Sequence, residues 1–260
     1  MNRSIIDYIL HLADNALILG QRNSEWCGHG PVLEQDIAIT NISLDLIGQA
    51  RSLYQYAAQL INSSESAGAE QATEDTLAHL RDIREFRNCL LCELPNGDWG
   101  QTILRQFFFS NYQFLLYQRL QQSKDATLAA IAEKSLKEVT YHVRWSSEWV
   151  IRLGDGTEES HDRMRKAIDA LWMYTGELFV PAAYEKDAFD VGIGVNVSIL
   201  QPAWEHSINE VFAEATLPSP ITEQPNAMQS GGKEGIHTEH MGYILAEMQF
   251  MQRAYPGSEW

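Results

Sequence analysis

The sequence predicts an all-α protein, on three observations. No proline occurs between Pro31 and Pro95 or between Pro95 and Pro181, so two long stretches lack a helix-breaking residue. Within them, apolar residues recur at three- and four-residue spacing rather than alternating. Turn-forming clusters ("GHGP", "PNGD", "GDG") cut the chain into pieces of helical length.

Taken in order, a short helix is expected near 4–19, followed by the glycine-rich loop "GQRNSEWCGHGP". A long helix over 32–61 follows, with Val32, Leu33, Ile37, Leu44, Ile47 and Leu53 on or near its buried stripe. "NSSESAGAEQA" (62–72) is small and polar and reads as a surface loop. Thr73 is placed to cap the next helix, with Glu74 and Asp75 where the helix dipole favours acids. That helix is expected to run to Leu94 and stop at "PNGD". Helices over 99–122 and 125–153 follow, joined at "SKD". Four long helices with one long and two short connections describe a four-helix bundle. Shorter helices are expected at 158–174, 181–190, 199–215 and 236–254, with "PSPITEQPNAMQSGG" (218–232) as a surface excursion. Only "VGIGVNVSI" hints at a strand. No repeat is present, and residues 1–260 read as a single helical domain.

Composition narrows the function. With 45% hydrophobic and 21% charged residues, the chain is of ordinary globular type. No apolar run approaches the roughly 20 residues of a membrane span, and "MNRSIIDYILHLADN" lacks a signal-like block, so a cytoplasmic location is expected. Cys27, Cys89 and Cys92 are too few for a disulfide framework and fit a reducing compartment. Cys89 and Cys92 form a C-x-x-C with no second pair to close a zinc site, and read as two thiols on a buried helix face. A net charge of −16 disfavours nucleic acid, so no nucleic-acid partner is expected, and it repels a polyphosphate ligand such as coenzyme A unless a local basic pocket takes it. A partner with a basic face remains compatible.

A bundle of this size is a common home for a two-metal carboxylate site, built from one Glu on each of two helices and a Glu-x-x-His on each of the other two. "LKEVTYHVRW" (136–145) is one residue out of that pattern: Val139 stands three before His142, and Glu138 is rotated to the flank. By periodicity Val139, Val143 and Val150 define the buried stripe, with His142 at its edge. Asp45 is the one acid in "ITNISLDLIGQA", either a ligand or a buried acid paired with a base. Glu85 is followed three residues on by Asn88, a poor iron ligand. The helix over 99–122 has no acid beyond Asp98 at its start. Asp45, Glu85 and His142 do not neutralise two metal ions, so the spacing reads as a site that is lost.

Other groupings are weaker. Glu234, His237 and His240 in "KEGIHTEHM" offer a zinc site or a polar patch, and Glu158 with His161 offers a second Glu-x-x-His at a helix start. Cys27 and His29 share a glycine loop and read as a loop feature rather than a catalytic pair. Phe107, Phe108, Phe109, Tyr112, Trp145 and Trp149 fall at helical spacing and read as core or subunit interface.

The segments "SEWCGHGPVLEQDIAITNISLDLIGQAR", "ELPNGDW", "RLGDGTEES" and "GIHTEHMGYILAEMQFMQRAYPGSEW" together resemble the C-subunit family of the bacterial phenylacetyl-CoA oxygenase, the ring 1,2-epoxidase. The resemblance runs from end to end. It implies a ferritin-like fold with no cofactor in this chain, a non-catalytic component paired with the homologous A subunit. The di-iron centre and the CoA substrate belong to that A subunit, and a separate reductase supplies electrons. Carried over by position, the degenerate metal site is Asp45, Glu85, Asn88, Val139 and His142, with Arg51 or Arg84 available to neutralise its acids. The alternative is an independent di-iron or mononuclear metal oxidase using Asp45, Glu85 and His142. Self-association of the isolated chain is a further expectation.

Overall fold

The structure, a computed structural model, describes residues 3–64, 71–220 and 228–258. Among these residues, eleven α-helices and several 3-10 turns account for the regular structure, and no strand occurs. The helices are α1 (Arg3–Ser24), α2 (Leu33–Ser64), α3 (Glu74–His79), α4 (Leu90–Glu93), α5 (Trp99–Leu120), α6 (Ala126–Gly154), α7 (Glu158–Leu171), α8 (Ala183–Asp190), α9 (Gln201–Glu214), α10 (Glu239–Met248) and α11 (Phe250–Ala254). "VGIGVNVSI", the one strand hint, forms a turn and a 3-10 segment at Val197–Leu200. Of the loop expected over 62–72, residues 62–64 extend α2 and 65–70 lie outside the described residues. Within the excursion at 218–232, residues 221–227 likewise lie outside them.

Packing divides the chain into two compact units. The first comprises residues 1–95, 182–194 and 231–260. Its centre is α1, which packs along α2 and also meets α4, α8 and α10. A helix covered on several sides must be apolar nearly all round. Accordingly α1 is buried from Ile5 to Asn23 except for Asp7 and Gln21, and it takes His11, Asp14, Asn15, Arg22 and Asn23 into the interior. The expected short helix at 4–19 is therefore a 22-residue core helix.

The second unit comprises residues 96–181 and 195–230. Here α5 is the central helix, packed by α6, α7 and α9. Asp98 and Asp125 cap α5 and α6 by accepting from the backbone N–H groups of Gln101 and Leu128. Phe107, Phe108, Phe212, Trp172 and Trp204 form an aromatic core, in which Trp204 Nε1 donates to the Phe108 carbonyl at 2.9 Å.

Three expectations are corrected. The stripe of α2 marked by Val32, Leu33, Ile37, Leu44 and Ile47 is exposed, and only Leu53 of that set is buried. The buried face carries Ala38, Ile39, Ile42, Leu46, Ala50, Leu53, Tyr54 and Ala57. Helix α2 is apolar on two faces. Periodicity weighted by large side chains selects the wrong one, because packing against α1 uses the alanine-rich side. On α6 the buried stripe is Ser135, Val139, His142, Ser146 and Val150, so His142 lies in the seam, while Val143 is only half-buried.

The third correction concerns 73–94, which is not one long helix. Thr73 caps α3 with a reciprocal Thr76 box, as its position predicts, but the segment then breaks into a 3-10 turn at Ile83–Glu85 and the single turn of α4. The cause is competition for backbone hydrogen bonds. Side chains of α1 take groups a helix would pair internally: Asp14 accepts from the Arg87 N–H (2.7 Å), and Asn15 accepts from the Cys89 N–H (2.7 Å). His11 donates to the Arg87 carbonyl (2.7 Å), and Arg22 donates to the Glu93 carbonyl through Nε and Nη2.

Candidate functional site: a charge-paired polar core in the first unit

Among the described residues, three acids lie fully inside the first unit, each answered by a cation. Asp14 on α1 accepts from Arg81 through both carboxylate oxygens and from the Tyr54 hydroxyl of α2 at 2.5 Å. The Arg81 guanidinium lies over the Phe86 ring, 4.2 Å from its centroid, and also donates to the Glu85 carbonyl at 3.0 Å. Burial by itself would pull the Arg81 pKa down, but the charge of Asp14, with Tyr54 and Glu85, carries it above its ordinary value. Burial, reinforced by the Asp14 charge, pushes the Tyr54 phenol well up, so it stays a donor.

Glu185 on α8 accepts from Lys233 Nζ at 2.9 Å and from the Ala182 N–H at 2.8 Å. His11 Nε2 stands 3.6 Å from its other oxygen. The His11 ring donates through Nδ1 to the Arg87 carbonyl and accepts at Nε2 from Asn15 at 3.3 Å, which fixes a neutral tautomer. Burial lowers the His11 pKa, partly opposed by Glu185.

Glu93 at the end of α4 accepts from Asn88 Nδ2 (2.8 Å), His237 Nδ1 (2.7 Å) and the Thr238 N–H (2.6 Å). His237 Nε2 faces the Phe86 carbonyl at 3.1 Å. Both ring nitrogens thus face acceptors, which is the geometry of an imidazolium. Burial acts against that charge, but the hydrogen bond and charge of Glu93 prevail and the His237 pKa is raised.

Segment 231–238 therefore lies across the unit, pinned at Lys233 and His237. Its approach is so close that a Cβ on Gly232 would stand 2.2 Å from the Asn88 carbonyl oxygen. One on Gly235, whose φ is +77°, would stand 2.3 Å from that of Arg84. Since a lone buried charge is costly, this network is complete only with all three cations in place.

The structure places the sequence-derived positions as follows. Asp45 is half-buried on α2. Glu85 is exposed on the 3-10 turn, and its carboxylate accepts from the Asp82 N–H at 2.7 Å. Asn88 is buried and turned to Glu93. Because 73–94 is not one helix, Glu85 and Asn88 do not present a shared helix face. Val139 and His142 are fully buried on α6, in the second unit. Arg51 reaches Glu74 at 3.6 Å, and it is Arg81 that neutralises a core acid.

Elsewhere, His237 is turned to Glu93, Glu234 is exposed, and His240 is half-buried in the first turn of α10. His161 Nδ1 donates to the Gly154 carbonyl at 2.7 Å. Buried Cys89 and Cys92 surround Asn15 Oδ1, which accepts from the Cys89 N–H and from the Cys92 thiol at 3.6 Å. Cys27 is exposed, and His29 Nδ1 donates to the Cys27 carbonyl at 3.1 Å. Among the described residues no three His, Cys, Asp or Glu side chains are grouped to hold a metal ion.

Sequence reasoning missed Asp14, Arg81, Glu93, Glu185 and Lys233. A signal for the first was present: "HLADNALILG" sets His11, Asp14 and Asn15 inside an apolar run, just as "ISLDLIG" sets Asp45.

These features define an all-helical protein whose interior acids in the first unit are met by arginine, lysine and histidine. The chain belongs to the phenylacetic acid catabolic protein family, whose model matches residues 1–260 and which makes the helical class ferritin-like. It is similar to the C subunit of the 1,2-phenylacetyl-CoA epoxidase of Escherichia coli (strain K12), at 47% identity over 253 residues. That match spans 97% of this chain and 98% of the Escherichia coli protein. No helix among the described residues is long and apolar enough to cross a membrane.

Proposed function

We propose that the chain is the non-catalytic structural subunit of a phenylacetyl-CoA 1,2-epoxidase, pairing in the cytoplasm with the catalytic A subunit in aerobic phenylacetate breakdown. The carrying observation is the end-to-end likeness to the C subunit of the Escherichia coli epoxidase.

The side chains on the long helices support the non-catalytic role, because their donor set does not fit a di-iron centre. Two iron ions need several anionic oxygens and an imidazole each. On α1 the buried acid, Asp14, is already claimed by Arg81 and Tyr54. Helix α5 contributes no acid at all, its buried polar residues being Thr102, Arg105, Gln106, Ser110, Asn111 and Gln113. On α6, Val139 stands where the acid preceding His142 would be needed. No chemical step is assigned to this chain; its role is to fold as a rigid partner. The alternative, an oxidase built on Asp45, Glu85 and His142, gains nothing from Glu85, which is exposed on a 3-10 turn.

Native mass spectrometry after expression with ample iron tests the reading. The expected result is a metal-free mass for this chain alone, with iron and phenylacetyl-CoA epoxidation appearing only when the A subunit is co-expressed. Two irons held by this chain alone would replace the structural role by the oxidase.

A further inference from the structure

The outward face of α2 carries large apolar side chains that the fold of this chain does not use. Leu33 (71% exposed), Ile37 (52%), Leu44 (60%) and Ile47 (38%) fall at i, i+4, i+11 and i+14 on one helix face, which Val32 (52%) extends at its start and which Thr40 and Asn41 interrupt in the turn between Ile37 and Leu44. The stripe exposes on the order of 500 Å² of apolar surface, the upper range for the largest patch on a monomer and a large part of the roughly 800 Å² one partner contributes to a stable interface.

A second observation lies on the same face. Gly48 sits between Leu44 and Arg51 in the interior of a 32-residue helix, where glycine weakens the helix relative to alanine. A Cβ at Gly48 would meet no atom within 4 Å. Among the described residues nothing requires its absence, whereas a second backbone approaching α2 would.

Charge selects the occupant. Glu34, Asp36 and Asp45 flank the stripe, and the nearby cation, Arg51, is engaged with Glu74. The chain as a whole carries −16. Two copies meeting face to face would bring like charges together around the apolar strip.

We infer that this α2 face, built on Leu33, Ile37, Leu44, Ile47 and Gly48, is the docking surface for a different chain. That chain presents an apolar helix rimmed by lysine or arginine that passes close to Gly48. The inference rests on the proposed function, which makes that chain the A subunit.

The test measures binding of the purified A subunit to the full chain and to two variants. Leu44→Glu changes an exposed residue, so it keeps the helical circular dichroism and thermal midpoint while affinity falls roughly 30-fold or more, as at a central hot spot. Gly48→Ala moves the two readouts apart: the isolated chain melts higher and the complex weakens several-fold. A glycine of purely internal importance would not give opposite signs. Binding by the parent chain must also weaken with added salt. Parent-level affinity in both variants overturns the docking surface and leaves the proposed function standing. Failure of the parent chain to bind the A subunit overturns both. A homodimer of the isolated chain that Leu44→Glu dissociates gives the face to a second copy and overturns the inference.

Discussion

His237 and Glu93, 144 residues apart in sequence, meet at 2.7 Å with the second imidazole nitrogen 3.1 Å from the Phe86 carbonyl. With an acceptor on each side of the ring, the proton that makes it cationic is part of the fold. Few other side chains would satisfy both carboxylate and carbonyl at once.

Stability is therefore expected to depend on this proton. The folded pKa of His237 is raised above the ordinary 6.5, so its contribution is fully present below about 6.5 and is lost as pH rises through the raised value. His11 acts in the opposite sense. Its folded pKa is lowered, so stability falls as pH drops below 6.5 towards that lower value. Urea unfolding across this range should give a maximum flanked by the two titrations. His237→Gln should flatten the alkaline limb and leave the acid limb. A difference between parent and His237→Gln that stays constant from mildly acid to alkaline pH would refute the imidazolium.

Asp14→Asn should cost about 3–5 kcal/mol, because it leaves the Arg81 guanidinium buried without its counter-charge. The double variant Asp14→Asn, Arg81→Met removes both charges and should lose less than Asp14→Asn alone. Chemical denaturation of the parent and both variants decides the matter; a double variant worse than the single would mean that packing, not charge, governs the site.

Two glycines should respond with opposite signs in the isolated chain. Gly235→Ala introduces a side chain at φ +77° against the Arg84 carbonyl and should destabilise by roughly 1–3 kcal/mol. Gly48→Ala should stabilise by about 0.5–1 kcal/mol. Thermal melts at one pH compare them directly: a lowered midpoint for Gly48→Ala would contradict its assignment, and an unchanged or raised midpoint for Gly235→Ala would contradict the other.

In the second unit, Trp204→Ala should cost about 3–5 kcal/mol through the cavity left among Phe108, Trp172 and Phe179. Trp204→Phe retains most of the packing and isolates the hydrogen bond to the Phe108 carbonyl, about 1 kcal/mol. Fluorescence-monitored denaturation gives both values, and a loss under about 1 kcal/mol for the alanine variant would place Trp204 outside the stabilising core.

The helical class, the placement of α2, α5, α6 and α7 to within a few residues, the cap at Thr73 and the family are all legible along the chain. Those features depend on local periodicity, capping chemistry and residue identity, all written along the chain. Which of α2's two apolar faces is inside becomes visible in the folded chain, because that depends on where α1 packs. The break within 73–94 becomes visible there too. The segment carries no breaker residue, and it opens because Asp14, Asn15, His11 and Arg22 of α1 offer its backbone better partners than its own turns do. The pairs Asp14–Arg81, Glu185–Lys233 and Glu93–His237 were illegible for the same reason: each joins residues 48 to 144 apart, and linear spacing carries no trace of which buried charge will find which.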